Sequence, residues 1–184
     1  MVDLGHSVPH SEHAVFPPEF SLRPVDPDRD VDLVHPWMND PAVARFWGKP
    51  WPRDQIRSYL HQQVRSTHST PYLGQLAGVA MSYWELYRAD LDPLADHYTA
   101  RAHDAGVHVL LGPAGCRGRG LGAALLRAVS DWQLDVDPRA TRVVAEPDAD
   151  NVPCIRALTR AGFERITEMA LPNKRAALMI RERR

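Results

Sequence analysis

The sequence predicts an α/β domain: a mixed, mostly antiparallel sheet of about seven strands, with a parallel pair at its centre and helices on both faces. Three observations lead there. A short apolar run, VHVLLG (Val107 to Gly112), is followed by a glycine-rich turn, a long amphipathic helix and a second strand-like run, TRVVAE (Thr141 to Glu146). That order is the signature of a parallel crossover. Further strand-like segments joined by short turns flank it, as antiparallel neighbours do. The 184 residues, 44% hydrophobic and 24% charged, suit one core of ordinary composition and are too few for two.

Residues 1–18 read as a flexible lead-in and 19–184 as the single domain. FSLRPVD (Phe20 to Asp26) alternates apolar and polar residues as a first strand does. A helical region follows around LVHPWMND. PAVARFWGKPWP continues it in broken form, punctuated by Pro41, Pro50 and Pro52. Pro52 fits the first turn of the next helix, RDQIRSYLHQQV. Tyr72 to Leu76 and Gly78 to Arg88 read as two strands with QLAG as the hairpin turn, and the aromatics of the second suit a pleated surface. After a polar loop, Ala89 to Ala105, comes VHVLLG. Gly120 to Asp135 is an amphipathic helix with Leu121, Ala124, Leu125, Ala128, Val129 and Trp132 at i, i+3, i+4 spacing. TRVVAE, a shorter helix from Asn151 to Ala161 capped by Gly162, and two final strands near ERITEMAL and RAALMIR complete the order.

The formal net charge is -1, which supplies no basic surface for nucleic acid. Two cysteines, Cys116 and Cys154, make neither a disulfide framework nor a metal cluster. No stretch reaches the length of a membrane span, and the first residues lack the apolar centre of a secretory signal. The expectation is a cytoplasmic protein, monomer or homodimer, without nucleic-acid, membrane or metal partners.

The most informative segment is Cys116-Arg117-Gly118-Arg119-Gly120-Leu121-Gly122. Three glycines in five positions let the backbone curl with its N–H groups inward, and the helix that follows aims its positive end at the same point. Arg117 and Arg119 add full charge. The segment lacks the Lys-Ser/Thr ending of a P-loop and the glycine spacing of the dinucleotide fingerprint. By itself it fits either a phosphate cradle or a plain turn.

Arg117-Gly118-Arg119-Gly120-Leu121-Gly122 resembles the Arg/Gln-x-x-Gly-x-Gly/Ala signature of the GNAT acyltransferases. Glu146-Pro147-Asp148-Ala149-Asp150-Asn151 followed by Ala161-Gly162-Phe163 is similar to that family's second half. Within it the chain resembles the hydroxamate-siderophore acyltransferases, the aerobactin-type N-hydroxylysine acetyltransferases and mycobactin-type lysine N-acyltransferases. The matching pieces are His35-Pro36-Trp37-Met38, Phe46-Trp47 with Trp51-Pro52, Tyr83-Trp84-Glu85-Leu86-Tyr87, Asp104-Ala105-Gly106-Val107-His108 and Val144-Ala145-Glu146-Pro147-Asp148 through Asn151.

The resemblance implies the GNAT fold, with its fourth and fifth strands splayed around an acyl-pantetheine. It implies transfer of an acyl group from acetyl-CoA or another acyl-CoA to an amine or hydroxylamine, by direct attack on the thioester. Leu110, Leu111, Arg117, Gly118, Arg119, Gly120, Leu121, Gly122 and Asn151 would then bind the donor. His108 and Glu146 would be the catalytic pair, with Glu146 standing where mycobactin-type enzymes carry Asp. A histidine suits proton transfer because its unperturbed pKa is about 6.5. Trp84, Glu85, Tyr87, Asp148 and Trp47 would border the acceptor, with Trp51 closing the pocket from the helical side. Plainer readings stand beside these: His108 as a hydrogen-bonded strand residue, Glu146 as an arginine's partner, Asp148 and Asn151 as helix caps. The alternatives on the same scaffold are an aminoglycoside or other small-amine acetyltransferase, and a non-catalytic acyl-CoA-binding module.

Overall fold

The computed structural model describes residues 19–183, so the expected lead-in lies outside the described residues. In chain order the elements are β1 (Phe20–Pro24), α1 (Pro27–Asn39), α2 (Pro41–Trp47), α3 (Arg53–Val64), β2 (Ser69–Leu76), β3 (Val79–Arg88), β4 (Ala105–Leu111), α4 (Leu121–Val136), β5 (Arg142–Ala145), α5 (Val152–Ala161), β6 (Glu164–Leu171) and β7 (Lys174–Glu182). The strands form one sheet in the order β1-β2-β3-β4-β5-β7-β6. Every neighbouring pair is antiparallel except β4 and β5. No helix among the described residues is long and apolar enough to cross a membrane.

Local chemistry sets the boundaries. Asp26 caps α1 by accepting from the amides of Asp28 and Arg29, and Asp40 caps α2 through the amide of Ala42. Gly48 and Gly162 end α2 and α5 in the left-handed region, at φ 72° and 97°. Pro52 precedes α3 as its cap residue instead of sitting in the first turn. The β2–β3 reversal is Ala77-Gly78, both at positive φ, while Gln75 and Leu76 of the expected turn pair within the ladder. Leu125 and Val129 of α4 are buried as expected, but Ala124 is exposed, and Leu126, Ser130 and Leu134 are buried instead. The helix packs on α5 as well as on the sheet, which turns its buried stripe.

The pleat sends alternate side chains to opposite faces of the sheet. Trp84, Leu86 and Val107 face α4 and α5, while Leu73, Tyr83 and Leu110 face α1 to α3. The latter face of β3 therefore carries Tyr83, Glu85 and Tyr87, by the period of two along a strand.

The centre of the sheet is held unevenly. β3 and β4 pair over seven positions, but β4 and β5 pair only at Ala105–Val143 and Gly106–Val144. At that end Arg142 grips Asp104 with two hydrogen bonds of 2.7 Å, and both side chains are almost fully buried. Tyr98 and the amide of Arg101 also donate to Asp104, at 2.8 Å each. Beyond Gly106 the strands diverge. Tyr87, directly opposite Gly106, lays its ring across it, and a Cβ there would meet the ring at 2.3 Å.

Two stability predictions follow. Arg142→Met should cost about 3–5 kcal/mol in denaturant unfolding, because Asp104 is left buried and charged, and Asp104→Leu in the same chain should restore much of it. Gly106→Ala should cost about 1–3 kcal/mol by displacing the Tyr87 ring, with a matching change in near-ultraviolet circular dichroism.

Candidate active site

The site is built by register. Glu85 on β3 is directly opposite His108 on β4. Glu146 follows β5 at once and shares a face with Val144, so it points to the same side of the sheet. Where β4 and β5 part, His108 and Glu146 meet: Nε2 of His108 makes a very short contact with Oε1 of Glu146. On the other side, Nδ1 of His108 lies 3.2 Å from Oε2 of Glu85. The imidazole is thus held between two buried carboxylates, with 36% of its side chain exposed to the cavity before it.

Phenols and one amine complete the cluster. Tyr87 donates to Oε2 of Glu146 at 2.9 Å and lies 3.3 Å from Nε2 of His108. Lys174 donates to the Glu146 carbonyl at 2.6 Å and sits 3.6 Å from its carboxylate. Tyr59 and Tyr83 both donate to Oε1 of Glu85, Tyr83 at 3.0 Å. Trp47 stands edge-on to His108 and to Tyr83, with centroids 6.3 and 5.7 Å apart.

The electrostatics follow from these partners. Burial opposes charge on His108, but the carboxylates of Glu146 and Glu85 outweigh it and raise its pKa well above the ordinary value. Burial pushes the Glu146 carboxyl up, and His108, Lys174 and Tyr87 together bring it down below the usual carboxylate range. Burial and the adjacent carboxylate push the Tyr87 phenol well up, so it stays a donor at neutral pH. These opposed shifts favour an imidazolium facing a carboxylate. The ordinary histidine pKa, which the sequence reading cited as suiting proton transfer, is raised here by the two carboxylates.

A cavity of about 1050 Å³ opens over this cluster. Its walls include Trp47 and Lys49, Tyr59, Glu85 and Tyr87, His108, and Glu146 with Asp148. Trp84 belongs elsewhere. It is fully buried on the opposite face, its indole N–H given to Ser82 at 2.8 Å, because neighbours of Glu85 along a strand must point the other way. Trp51 stacks edge-on with Tyr59 behind the wall.

On the far side of the gap, Leu110 and Leu111 end β4, where β5 no longer pairs with it. The glycine turn follows. Gly118 and Gly120 adopt φ 72° and 81°, with nothing within 4 Å of an added Cβ, and no side chain caps α4. The first N–H groups of α4, including those of Leu121 and Gly122, lack intrahelical partners. An open, uncapped helix end of this kind fits a phosphate. Arg119 is exposed beside it, but Arg117 is turned away into an ion pair with Asp40, so the expected charge of two arginines is reduced to one. Asn151 caps α5 through the amide of Cys154 at 3.2 Å. Asp148 accepts from the amide of Asp150 at 2.8 Å and lines the cavity. Sequence reasoning missed Tyr59 and Lys174 altogether; neither lies in a motif, and only the tertiary fold brings them in.

The comparisons agree with this architecture. The acetyltransferase (GNAT) domain family matches residues 26–171. The lysine N-acyltransferase MbtK of Mycobacterium sp. (strain MCS) is 35% identical over 176 residues, 96% of this chain and 72% of the relative. The N(6)-hydroxylysine O-acetyltransferase of Escherichia coli is 34% identical over 163 residues, 89% of this chain and 52% of the relative. Among solved structures, an uncharacterized protein from Bacillus halodurans superposes with a TM-score of 0.84 at 36% identity, covering 89% of this chain and 83% of that one. Aminoglycoside acetyltransferase AAC(6')-Ib in complex with coenzyme A and kanamycin gives 0.78 at 27% identity, covering 89% and 95%. With the splayed central pair, the glycine turn at a helix start and these matches together, the chain belongs to the GNAT family of acyl-CoA-dependent N-acyltransferases.

Proposed function

We propose that this enzyme acylates the nitrogen of an N-hydroxylated lysine or diamine, or of the parent amine, in siderophore assembly. The observation that carries the chemical part is the His108–Glu146 pair at the point where β4 and β5 separate. The acceptor class rests on the relatives named for lysine and N(6)-hydroxylysine. The cavity supports it too. Arg45, Lys49, Arg65 and Lys174 face Glu85, Asp92, Glu146 and Asp148 there, and two of those acids are already engaged with His108. An aminoglycoside is polycationic and needs an acidic surplus, which this wall lacks.

The donor supplies an activated thioester. Its pyrophosphate would be held by the turn from Gly118 to Gly122 and by Arg119, with Leu110 and Leu111 along the arm and Asn151 keeping the start of α5 in place. The acid and base follow from the opposed pKa shifts of the pair. As the C–N bond forms, the acceptor nitrogen becomes cationic and acidic, and the ionised Glu146 takes its proton. As the C–S bond breaks, the imidazolium of His108 gives its Nε2 proton to the departing thiolate. The two residues touch, so passage of a proton from Glu146 to His108 restores the starting pair. The proton donor is then His108 and the acceptor Glu146, the reverse of what an unperturbed histidine suggests.

Two experiments test this reading. Gly120→Asp puts a carboxylate at the open helix end; loss of one charge-assisted contact, about 1.5–3 kcal/mol, should weaken acyl-CoA binding in calorimetry by roughly 10- to 100-fold. Unchanged affinity would place the donor elsewhere. In a thiol-release assay, N-hydroxylysine and N-hydroxycadaverine should outperform kanamycin, and His108→Ala should lower turnover by roughly two to four orders of magnitude. With a hydroxylamine acceptor, wild-type kcat should stay flat through neutrality and fall only at alkaline pH, where His108 loses its proton. A rate that climbs with alkaline pH would make His108 the base instead.

A further inference from the structure

Glu85 takes no part in the steps above, yet it too meets the imidazole of His108, at Nδ1. We propose that Glu85 is a positioning residue that fixes the orientation and tautomer of the His108 imidazole. The inference rests on His108 being a proton-handling group.

The division of labour between its two oxygens carries the argument. Oε1 accepts from the phenols of Tyr59 and Tyr83, and Oε2 alone faces Nδ1 of His108 at 3.2 Å. The side chain is only 8% exposed. A phenol has one proton to give, and burial beside the carboxylate keeps the Tyr83 phenol un-ionised, so it remains a donor. Rotating the carboxylate would strand a buried donor, which is costly. The carboxylate is therefore clamped, and so is the imidazole nitrogen it meets.

The consequence is chemical. With Nδ1–H committed to Glu85, Nε2 is the nitrogen that gives up and regains a proton, and Nε2 faces Glu146 and the gap. Neutralising a buried histidine would not by itself need this arrangement, since Glu146 already pairs with it. Among the described residues, the charged or titratable groups that meet the imidazole or its two carboxylates include Glu85, Tyr83 and Tyr87 from β3, Tyr59 from α3, Glu146 after β5, Lys174 from β7 beside Glu146, and Lys49 acting on Glu85 from the α2–α3 loop. Lys49 lies 5.0 Å over the ring of Tyr59. Tyr59 comes from α3, so the clamp also ties the catalytic strand to the helices on the acceptor side.

The test is histidine nitrogen NMR on the resting, full-length enzyme. In Glu85→Gln the titration midpoint of His108 should fall by about one unit, a tenfold change in its protonation equilibrium, and the Nδ1–H tautomer should lose its dominance at high pH. Glu85→Asp keeps the charge but shortens the reach, and guards against a Gln variant that fails to fold. It should lower kcat by roughly tenfold and disturb the tautomer, with KM for acyl-CoA unchanged. Wild-type tautomer and kcat in Glu85→Asp, or an unmoved midpoint in Glu85→Gln, would overturn the proposal. A moved midpoint without a matching move of the alkaline limb of kcat would uphold the positioning role and count instead against His108 as the proton donor.

Discussion

The Asp104–Arg142 ion pair and the two residue pairs beside it hold β4 against β5 at one end only. A parallel pair held along its length would present no open edge, and a pair without this anchor would have no fixed angle of divergence. Here the buried guanidinium joins the residue before β4 to the first residue of β5, and Gly106 lets Tyr87 lie flat at the last point of contact. Past that point β4 has a free edge. His108 is two residues beyond the last pairing and Glu146 two beyond its counterpart Val144. The position of the proposed catalytic pair is thus a direct consequence of where the ladder stops.

The same geometry decides the charge state. Two carboxylates around a single imidazole favour its protonated form, and the imidazolium in turn holds both carboxyls below their ordinary range. The three phenols of Tyr59, Tyr83 and Tyr87 supply the remaining hydrogen bonds, so that little of this buried charge is left without a partner. A cluster of this kind is expensive to build for stability alone. Its cost is consistent with a functional site, where perturbed ionisation concentrates.

Much of this was legible in the sequence because it is local. Glycine spacing before an apolar helix located the uncapped start of α4, and an isolated histidine in VHVLLG stood out against its neighbours. Alternation, apolar runs and turn residues together placed all seven strands and the helices between them. Less legible was whatever needed the sense of a face or a distant partner. Trp84 belonged to the aromatic run on β3, but alternation sends it into the opposite core. Nothing near Arg117 in sequence announces its ion-pair partner Asp40, 77 positions earlier. Tyr59 sits in an unremarkable helix, and its bond to Glu85 spans 26 positions. The stripe on α4 shifted because α5 as well as the sheet covers it. The ionisation of His108 was likewise out of reach, since it depends on the register that sets Glu85 opposite it.

The proposed chemistry requires the thioester to sit in the gap, against Nε2 of His108 and the carboxylate of Glu146. A crystal structure with a conjugate of coenzyme A and the acceptor amine tests it directly. The sulfur and the joined nitrogen should lie within hydrogen-bond reach of His108 and Glu146, about 3–3.5 Å, and the pyrophosphate on the amides that open α4. A conjugate whose reacting atoms lie away from this pair, with the β4–β5 gap filled only by side chains, would contradict it.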